Sequence, residues 1–512
     1  MHAFETILTV MLGAVLLSLL ARRLKAPFPP FLALGGAVAA FLPFAPELQL
    51  DPELALALFV APVLLDAAFD SSPRDLRRNL APIVFLSVLA VCVTIVAVAL
   101  TARGLRPELS WAAAIALGAI VAPPDAAAAT AVLRAVPVPH RIRTILEGES
   151  LFNDATALLA YRLAVTAAVS GLALGWPLVG AVLWALFGSV AAGVAAAWLV
   201  RLALRRIEDV PNAILLQFIS TFGVWILAER LGLSAIITVV VHAMVIARLS
   251  ARNPAAVRAP SYAVWETVVF ALNAMAFALV GLQVGPIWRD LAPGQRADYV
   301  VFALAVLAVA VAARLVWVLA YDRSSELWRG RARRSADKPE PRRAGEALVV
   351  GWSGMRGVVS LAAAYALPQD FPARDLLLFA TFTVVMGTLV IQGFTLGPLI
   401  RLLGQKDDGA LADEIRRTRE AVLGAALARL RDEPAAAAER MRTQYAEHLD
   451  AIRATGGGVV ELEQDRLSRA ALEAKRETLL ALRLRGEIGE AAYYQLEEEL
   501  DRHELSLTPV VR

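Results

Sequence analysis

The apolar residues of this chain come in long runs. Thirteen runs approach the ~17–25 residues that carry a helix across a bilayer. They fall at approximately 4–21, 28–44, 52–70, 80–102, 110–134, 147–170, 176–200, 211–230, 233–249, 262–284, 298–320, 347–367 and 375–403, between loops rich in Pro, Gly and charge. The pattern changes after Gly404. From about Leu411 to Thr455 and from about Val459 to Leu505, Ala/Leu spacing is mixed with dense charge and broken at Pro434 and Gly456–Gly457–Gly458, which predicts amphipathic helices. The chain therefore reads as an all-α polytopic membrane domain, residues 1–404, followed by a helical cytoplasmic tail, residues 405–512, of which a regulatory role is expected.

Basic residues set the orientation. The loops after runs 1, 3, 5, 7, 9 and 11 carry Arg22/Arg23/Lys25, Arg74/Arg77/Arg78, Arg134/Arg141/Arg143, Arg201/Arg205/Arg206, Arg248/Arg252/Arg258 and the dense stretch from Arg323 to Arg343. The alternate loops hold only Arg103, Arg106, Arg230, Arg289, Arg296 and Arg374. Thirteen helices with the N-terminus outside and the C-terminus cytoplasmic satisfy the positive-inside rule. The first run has Glu5 and no basic leader before it, so a retained helix is expected rather than a cleaved signal.

Composition strengthens this picture. The 512 residues are 58% hydrophobic and 19% charged, against about 45–50% and about 25% for a soluble protein. Residues 1–404 hold 33 Lys+Arg and 25 Asp+Glu, and residues 405–512 hold 17 and 22, so the net +3 divides into +8 and −5. The pI of 9.1 reflects loop charges that orient a membrane protein, and no nucleic-acid partner is expected. Cys92 is the only cysteine, which excludes an intrachain disulfide and a multi-cysteine metal site, and the five histidines show no ligand spacing. No resident cofactor is expected. The acidic block Glu497–Glu498–Glu499 reads as a solvated helix face.

Charge inside the apolar runs carries the chemistry, because an ionised side chain near the bilayer centre costs ~2.5–3.5 kcal/mol or more. The candidates are Asp66, Asp125, Glu149, Asp154, Arg162, Glu229, Glu266, Arg314 and Arg356. Glu229 lies near a helix end and can snorkel, and Arg162 and Glu266 are open between structural and site roles. Glu149, Ser150, Asn153 and Asp154 recur at i, i+1, i+4 and i+5, which places two acids, a hydroxyl and an amide on one predicted helix face. Such oxygen donors suit a small hard cation. In the run before, Val121-Ala122-Pro123-Pro124-Asp125 removes two amide donors at mid-span. The twelfth run is interrupted by Gly351-Trp352-Ser353-Gly354-Met355-Arg356-Gly357. Broken backbone at that depth is tolerated where it lines a cavity or is buried in protein. Runs 4–6 and 11–13 have opposite orientation, each with the interrupted helix in its middle. That is the inverted-repeat plan of secondary transporters, with two crossing helices beside an ion site.

At the level of motifs, Glu147-Gly148-Glu149-Ser150-Leu151-Phe152-Asn153-Asp154 and Gly354-Met355-Arg356-Gly357-Val358-Val359-Ser360 resemble signatures of the sodium/proton exchanger branch of the monovalent cation:proton antiporters, in a bacterial-like member. The resemblance spans residues 1–404 and includes Leu64-Leu65-Asp66 and Arg314. It implies exchange of a monovalent cation, Na⁺ foremost, for H⁺ across the cell (inner) membrane, in the service of pH homeostasis, by a homodimer. It implies that Asp154 binds the cation and the proton in turn, with Asp125, Ser150, Asn153, Asp66 and the Pro124 carbonyl in the ion site. Glu149 and Arg314 would form a structural ion pair, and Arg356 would supply positive charge at the second crossing. Here Pro124 and Ala126 stand where the family's Thr-Asp-Pro pattern has Thr and Pro, which removes a hydroxyl ligand. Asn153 stands where the electrogenic branch has a second Asp, which implies electroneutral one-for-one exchange. The partners are then membrane lipid, the cation and the proton; the sequence names none for the tail. The chain is not expected to be an enzyme. Alternatives are a potassium/proton antiporter of the same fold and, more remotely, a cation channel or an intramembrane aspartyl protease using Asp125 and Asp154.

Overall fold

The computed structural model describes residues 2–43, 51–134, 136–170, 180, 182–207, 209–250, 255–332, 343–454, 463–485 and 487–507. The chain forms two compact units, Met1–Asp407 and Asp408–Arg512, and among the described residues every regular element is a helix.

The first unit runs through α1 (His2–Leu24), α2 (Phe28–Ala39), α3 (Pro52–Phe69), α4 (Pro73–Arg78), α5 (Leu80–Leu105), α6 (Trp111–Val121), α7 (Ala126–Leu133), α8 (His140–Ser170), α9 (Trp184–Leu204) and α10 (Val210–Arg230). It continues with α11 (Ala235–Ser250), α12 (Ala255–Leu282), α13 (Val284–Asp290), α14 (Arg296–Ala332), α15 (Arg343–Trp352), α16 (Val358–Tyr365) and α17 (Arg374–Leu402). Among the described residues eight helices are long and apolar enough to cross a membrane, and Phe28–Ala39, Trp111–Val121 and Ala235–Leu249 are shorter apolar ones. The 31-residue α8 falls outside both groups because Glu147, Glu149, Asp154 and Arg162 lower its hydropathy.

Helix ends depart from the apolar windows. α8 begins at His140 rather than near 147, and α14 continues to Ala332 rather than 320. Apolar length reports only the part of a helix that needs hydrocarbon around it, whereas backbone hydrogen bonding continues into charged residues. The start of the predicted run 176–200, the end of 28–44, most of the basic stretch before Arg343 and Gly456–Gly457–Gly458 lie outside the described residues.

Small residues govern the packing. The inner positions of α6 are Ala113, Ala114, Ala116, Gly118 and Ala119, all buried, while leucines such as Leu12, Leu16 and Leu199 point outward. Between helices in lipid there is no hydrophobic drive, so close backbone approach through small side chains holds them together. α2 and α12 show this most sharply. A methyl on Gly36 would collide with the Ala278 carbonyl, and one on Gly281 with the Ala33 carbonyl.

The second unit contains α18 (Ala410–Leu430), α19 (Ala436–Ala454), α20 (Glu463–Leu484) and α21 (Glu490–Leu507), with α18 packed on α19 and α20 on α21. Pro434 falls in the first turn, where Arg442 Nη1 binds the carbonyls of Leu430, Arg431 and Glu433 at 2.6, 3.1 and 3.1 Å. The segment read as continuous from Val459 to Leu505 is instead divided between Leu484 and Glu490. Gly489 and Gly486 were the available signal there, and an Arg483–Glu490 pair at 2.8 Å spans the turn.

Candidate ion site

Two interrupted helices meet at the centre of the first unit. α6 stops at Val121, and Asp125 restarts the chain as the N-cap of α7, its Oδ1 accepting the Ala128 amide at 3.2 Å. Pro123 and Pro124 have no amide to continue α6. α15 stops at Trp352 and α16 restarts at Val358. The breaks are bonded to each other: the Asp125 amide donates to the Met355 carbonyl at 2.6 Å, and Arg356 Nε donates to the Val121 carbonyl at 3.0 Å.

Charges are distributed over these ends according to the helix dipoles. The fully buried Arg356 guanidinium serves the carbonyl that ends α6, the Ala310 carbonyl of α14 at 3.1 Å, and the Gly354 carbonyl beyond α15. Its own amide donates to Thr388 Oγ1 of α17 at 3.0 Å. The Asp125 carboxylate caps α7 and lies directly against Gly357, the residue before α16. At the breaks the cation thus faces the carbonyls that end α6 and follow α15, and the anion faces helix N-termini, the favourable sign at each; the Ala310 carbonyl comes from the middle of α14. Gly357 is the only residue type compatible with that approach, since a methyl there would enter the Asp125 carboxylate. Gly357→Ala is expected to destabilise the protein by about 1–3 kcal/mol, as overpacking does, and to lower its melting temperature. Gly13→Ala, which meets open space, is expected to leave the melting temperature unchanged.

The polar residues of α8 divide between two adjoining cavities. Ser150 and Asp154 line a cavity of about 40 Å³ with Pro123, Pro124 and Asp125, more than the ~10–15 Å³ that one water requires. Glu149 and Asn153 face a smaller cavity of about 10 Å³, which Ser150, Asp125, Arg314 and Ser353 also border. Residues i and i+4 stack as a ridge, and the neighbouring ridges 149/153 and 150/154 are turned by about 100°, with Ser150 bordering both cavities. Arg314 binds Glu149 through both terminal nitrogens, Nη2 to Oε2 at 2.9 Å, and also reaches the Val350 carbonyl at 3.2 Å. Both side chains are buried, at 4% and 1% exposure. Asn153 Nδ2 donates to the Pro124 carbonyl at 2.8 Å, and its Oδ1 accepts the Asp154 amide at 2.6 Å. Asn153 is thus a strut between α8 and the first break.

The larger cavity has two unlike walls. Asp125, Ser150, Asp154 and Gly357–Ser360 form one; Phe59, Val60, Val63 and Leu64 of α3 with Asn273, Ala276 and Phe277 of α12 form the other. A π-helical turn at Leu56–Val60 supplies Phe59 and Val60. Asp66 is half-buried on α3 and lines neither cavity. Arg162 and Glu229 bind each other at 2.6 Å, both partly exposed, and Glu266 is exposed on α12. Two polar residues of the larger cavity were not picked out from the sequence. Asn273 is a lone amide in the apolar α12, a weak signal. Ser360 lay within the recognised motif, and its buried hydroxyl has no hydrogen-bond partner among the described residues. The carboxylate of Asp154 accepts no hydrogen bond among the described residues, whereas Glu149 and Asp125 are both engaged. With the Ser150 and Ser360 hydroxyls on the same cavity, this wall can hold a small hard cation or, alternatively, a proton.

The family model "Sodium/hydrogen exchanger, transmembrane" matches residues 7–402. The chain is 31% identical to an uncharacterized Na⁺/H⁺ exchanger of Mycobacterium tuberculosis over 98% of this chain and 95% of the relative. It is 31% identical to a sodium, potassium, lithium and rubidium/H⁺ antiporter of Bacillus pumilus, over 79% of this chain and 63% of that one. Its fold is similar to that of the sodium proton antiporter MjNhaP1 of Methanocaldococcus jannaschii, with a TM-score of 0.60 and 16% identity over 79% of this chain and all of that chain.

Proposed function

Since the chain belongs to the sodium/hydrogen exchanger family, we propose that it exchanges one monovalent cation, Na⁺ foremost, for one proton by alternating access across the cell membrane. Family and fold are those of cation/proton antiporters in a multi-span membrane protein. The observation that carries it is the isolation of Asp154 on the 40 Å³ cavity. Of the three acids around the breaks, Glu149 is neutralised by Arg314 and Asp125 is committed to two helix ends. Asp154 alone has a carboxylate free to exchange its partner. With Asn153 neutral beside it, one charge moves each way per cycle.

In this reading Asp154, Asp125, Ser150 and the Pro124 carbonyl form the cation site, with Asn153 as its strut and Asp66 acting from beyond the cavity wall. Predicted spans 4–6 and 11–13 form the inverted repeat that carries the breaks. The mostly apolar wall of α3 and α12 offers Asn273 as its single polar side chain on the cavity, so a polar wall can slide past it with few bonds to break. The N-terminus lies outside, and residues 1–404 transport while the tail regulates from the cytoplasm. The assembly is a homodimer in lipid. Potassium is the second candidate, because one relative is named for transport of sodium, potassium, lithium and rubidium.

The test is proteoliposome exchange followed with an internal pH dye, cation by cation. With voltage clamped by valinomycin and potassium, and sodium as the transported ion, sodium-driven proton flux is expected to be independent of voltage. Movement of one net charge would couple the cycle to ~2.3 kcal/mol per 100 mV, so a rate and equilibrium point that shift with voltage would overturn the one-for-one mechanism.

A further inference from the structure

We propose that α18 of the tail pairs with the same helix of a second copy of this chain as a parallel, two-stranded coiled coil. α18 has two usable faces. Leu423, Leu427 and Leu430 are half-buried on the side that packs on α19. Leu411, Ile415, Thr418, Val422 and Ala425 lie on the other side of the helix and are all exposed, Leu411 and Ile415 at 42% and Val422 at 62%. Their spacing is 4-3-4-3, the seam that two supercoiled helices require.

The seam also specifies what covers it. β-branched Ile415 and Val422 fall at a positions and Leu411 at d, the combination that favours two parallel strands. Glu414 falls at g and Arg419 at e of the next heptad. In a parallel pair, Glu414 of each copy lies beside Arg419 of the other, twice per dimer. An antiparallel pair would set g against g and e against e and lose that complementarity. A lipid surface explains neither the narrow 4-3 seam nor the opposed charges at its edges.

Thr418 and Ala425 at d and Arg429 at the next a make the seam short and weak on its own. It begins four residues after Asp407, where the first unit ends. Two copies already joined through their membrane units would present these helices to each other at high effective concentration. The inference thus rests on the homodimer of the reading above and is independent of which ion is exchanged.

The experiment uses the full chain in native membranes, with the single native thiol removed as Cys92→Ser. Ile415→Cys and Val422→Cys are introduced singly, with Arg417→Cys, away from the seam, as the control. Under mild oxidation, both seam variants are expected to form disulfide-linked dimers at least about tenfold faster than the control, because bridging needs Cα atoms within ~7 Å. Adding Ile415→Asp to Val422→Cys is expected to reduce cross-linking to the control rate. Cross-linking at only one seam position would mean an antiparallel or shifted pairing and overturn the proposal, as would equal rates at all three positions. Native mass spectrometry of the same protein separates two further failures. A monomer would overturn both the homodimer and the coil, and a dimer that does not cross-link would overturn the coil alone.

Discussion

Asp154→Asn is expected to abolish cation-driven proton flux in proteoliposomes while the purified variant keeps its fold and its melting temperature. Asparagine has nearly the volume of aspartate and fits the same cavity. It cannot bind and release a proton near neutral pH, and it offers the cation no charge. Loss of a group that carries the proton is worth about 10²-fold or more. Among the described residues Asp154 makes no side-chain bond that the amide would break, and its backbone amide stays with Asn153 Oδ1. Asp154→Glu separates charge from geometry: it keeps the carboxylate and lengthens its reach, so residual flux with altered cation affinity is expected. Flux at the wild-type rate in purified Asp154→Asn would show that another group carries the proton.

Glu149 and Arg314 are expected to behave as a single unit. Breaking a buried pair leaves a charge without its counterion and costs about 3–5 kcal/mol. Glu149→Gln and Arg314→Met should each lower the melting temperature and the yield of folded protein, with Arg314→Met the more severe. Arginine also binds the Val350 carbonyl at 3.2 Å, so its removal frees a second buried acceptor as well as the Glu149 anion. The double variant Glu149→Gln/Arg314→Met should be more stable than the sum of the single losses predicts, because neither charge is then unpaired. Additive losses in the double-mutant cycle would mean that the two side chains stabilise the fold separately.

The same pair shows where sequence reasoning reached and where it stopped. That Glu149 and Arg314 lie at membrane depth follows from their neighbours alone, and the cost of a charge there demands a partner. The motif resemblance named Glu149 and Arg314 as partners, but their local pattern alone does not, because which partner each finds depends on how α8 and α14, 165 positions apart at the contact, are rotated toward each other. Arg162 and Glu229 make the point from the other side. Glu229 read as a snorkelling residue and Arg162 as undecided, yet 67 residues of separation close into a 2.6 Å contact.

What the sequence determined by itself was set by the solvent. A bilayer of fixed thickness requires apolar runs of matching length, so the eight long apolar helices among the described residues were legible as windows. Proline cannot donate an amide, so the first break was legible at Pro123 and Pro124. The price of intramembrane charge marked Asp125, Asp154 and Arg356. None of these constraints refers to a distant residue. The tertiary structure decided everything that depends on helix rotation and depth: the placing of Asp154 on the larger cavity and of Glu149 and Asn153 on the smaller one, the commitment of Asp125 to the ends of both α7 and α16, the arrival of Asn273 and Ser360 at the cavity, and the absence of Asp66 from its lining. A single amide or hydroxyl in an apolar helix has the same local pattern whether it faces a site or a neighbour. Only the packing of the other helices, set by small residues such as Gly36 and Gly281 that let backbones approach, decides which way it points.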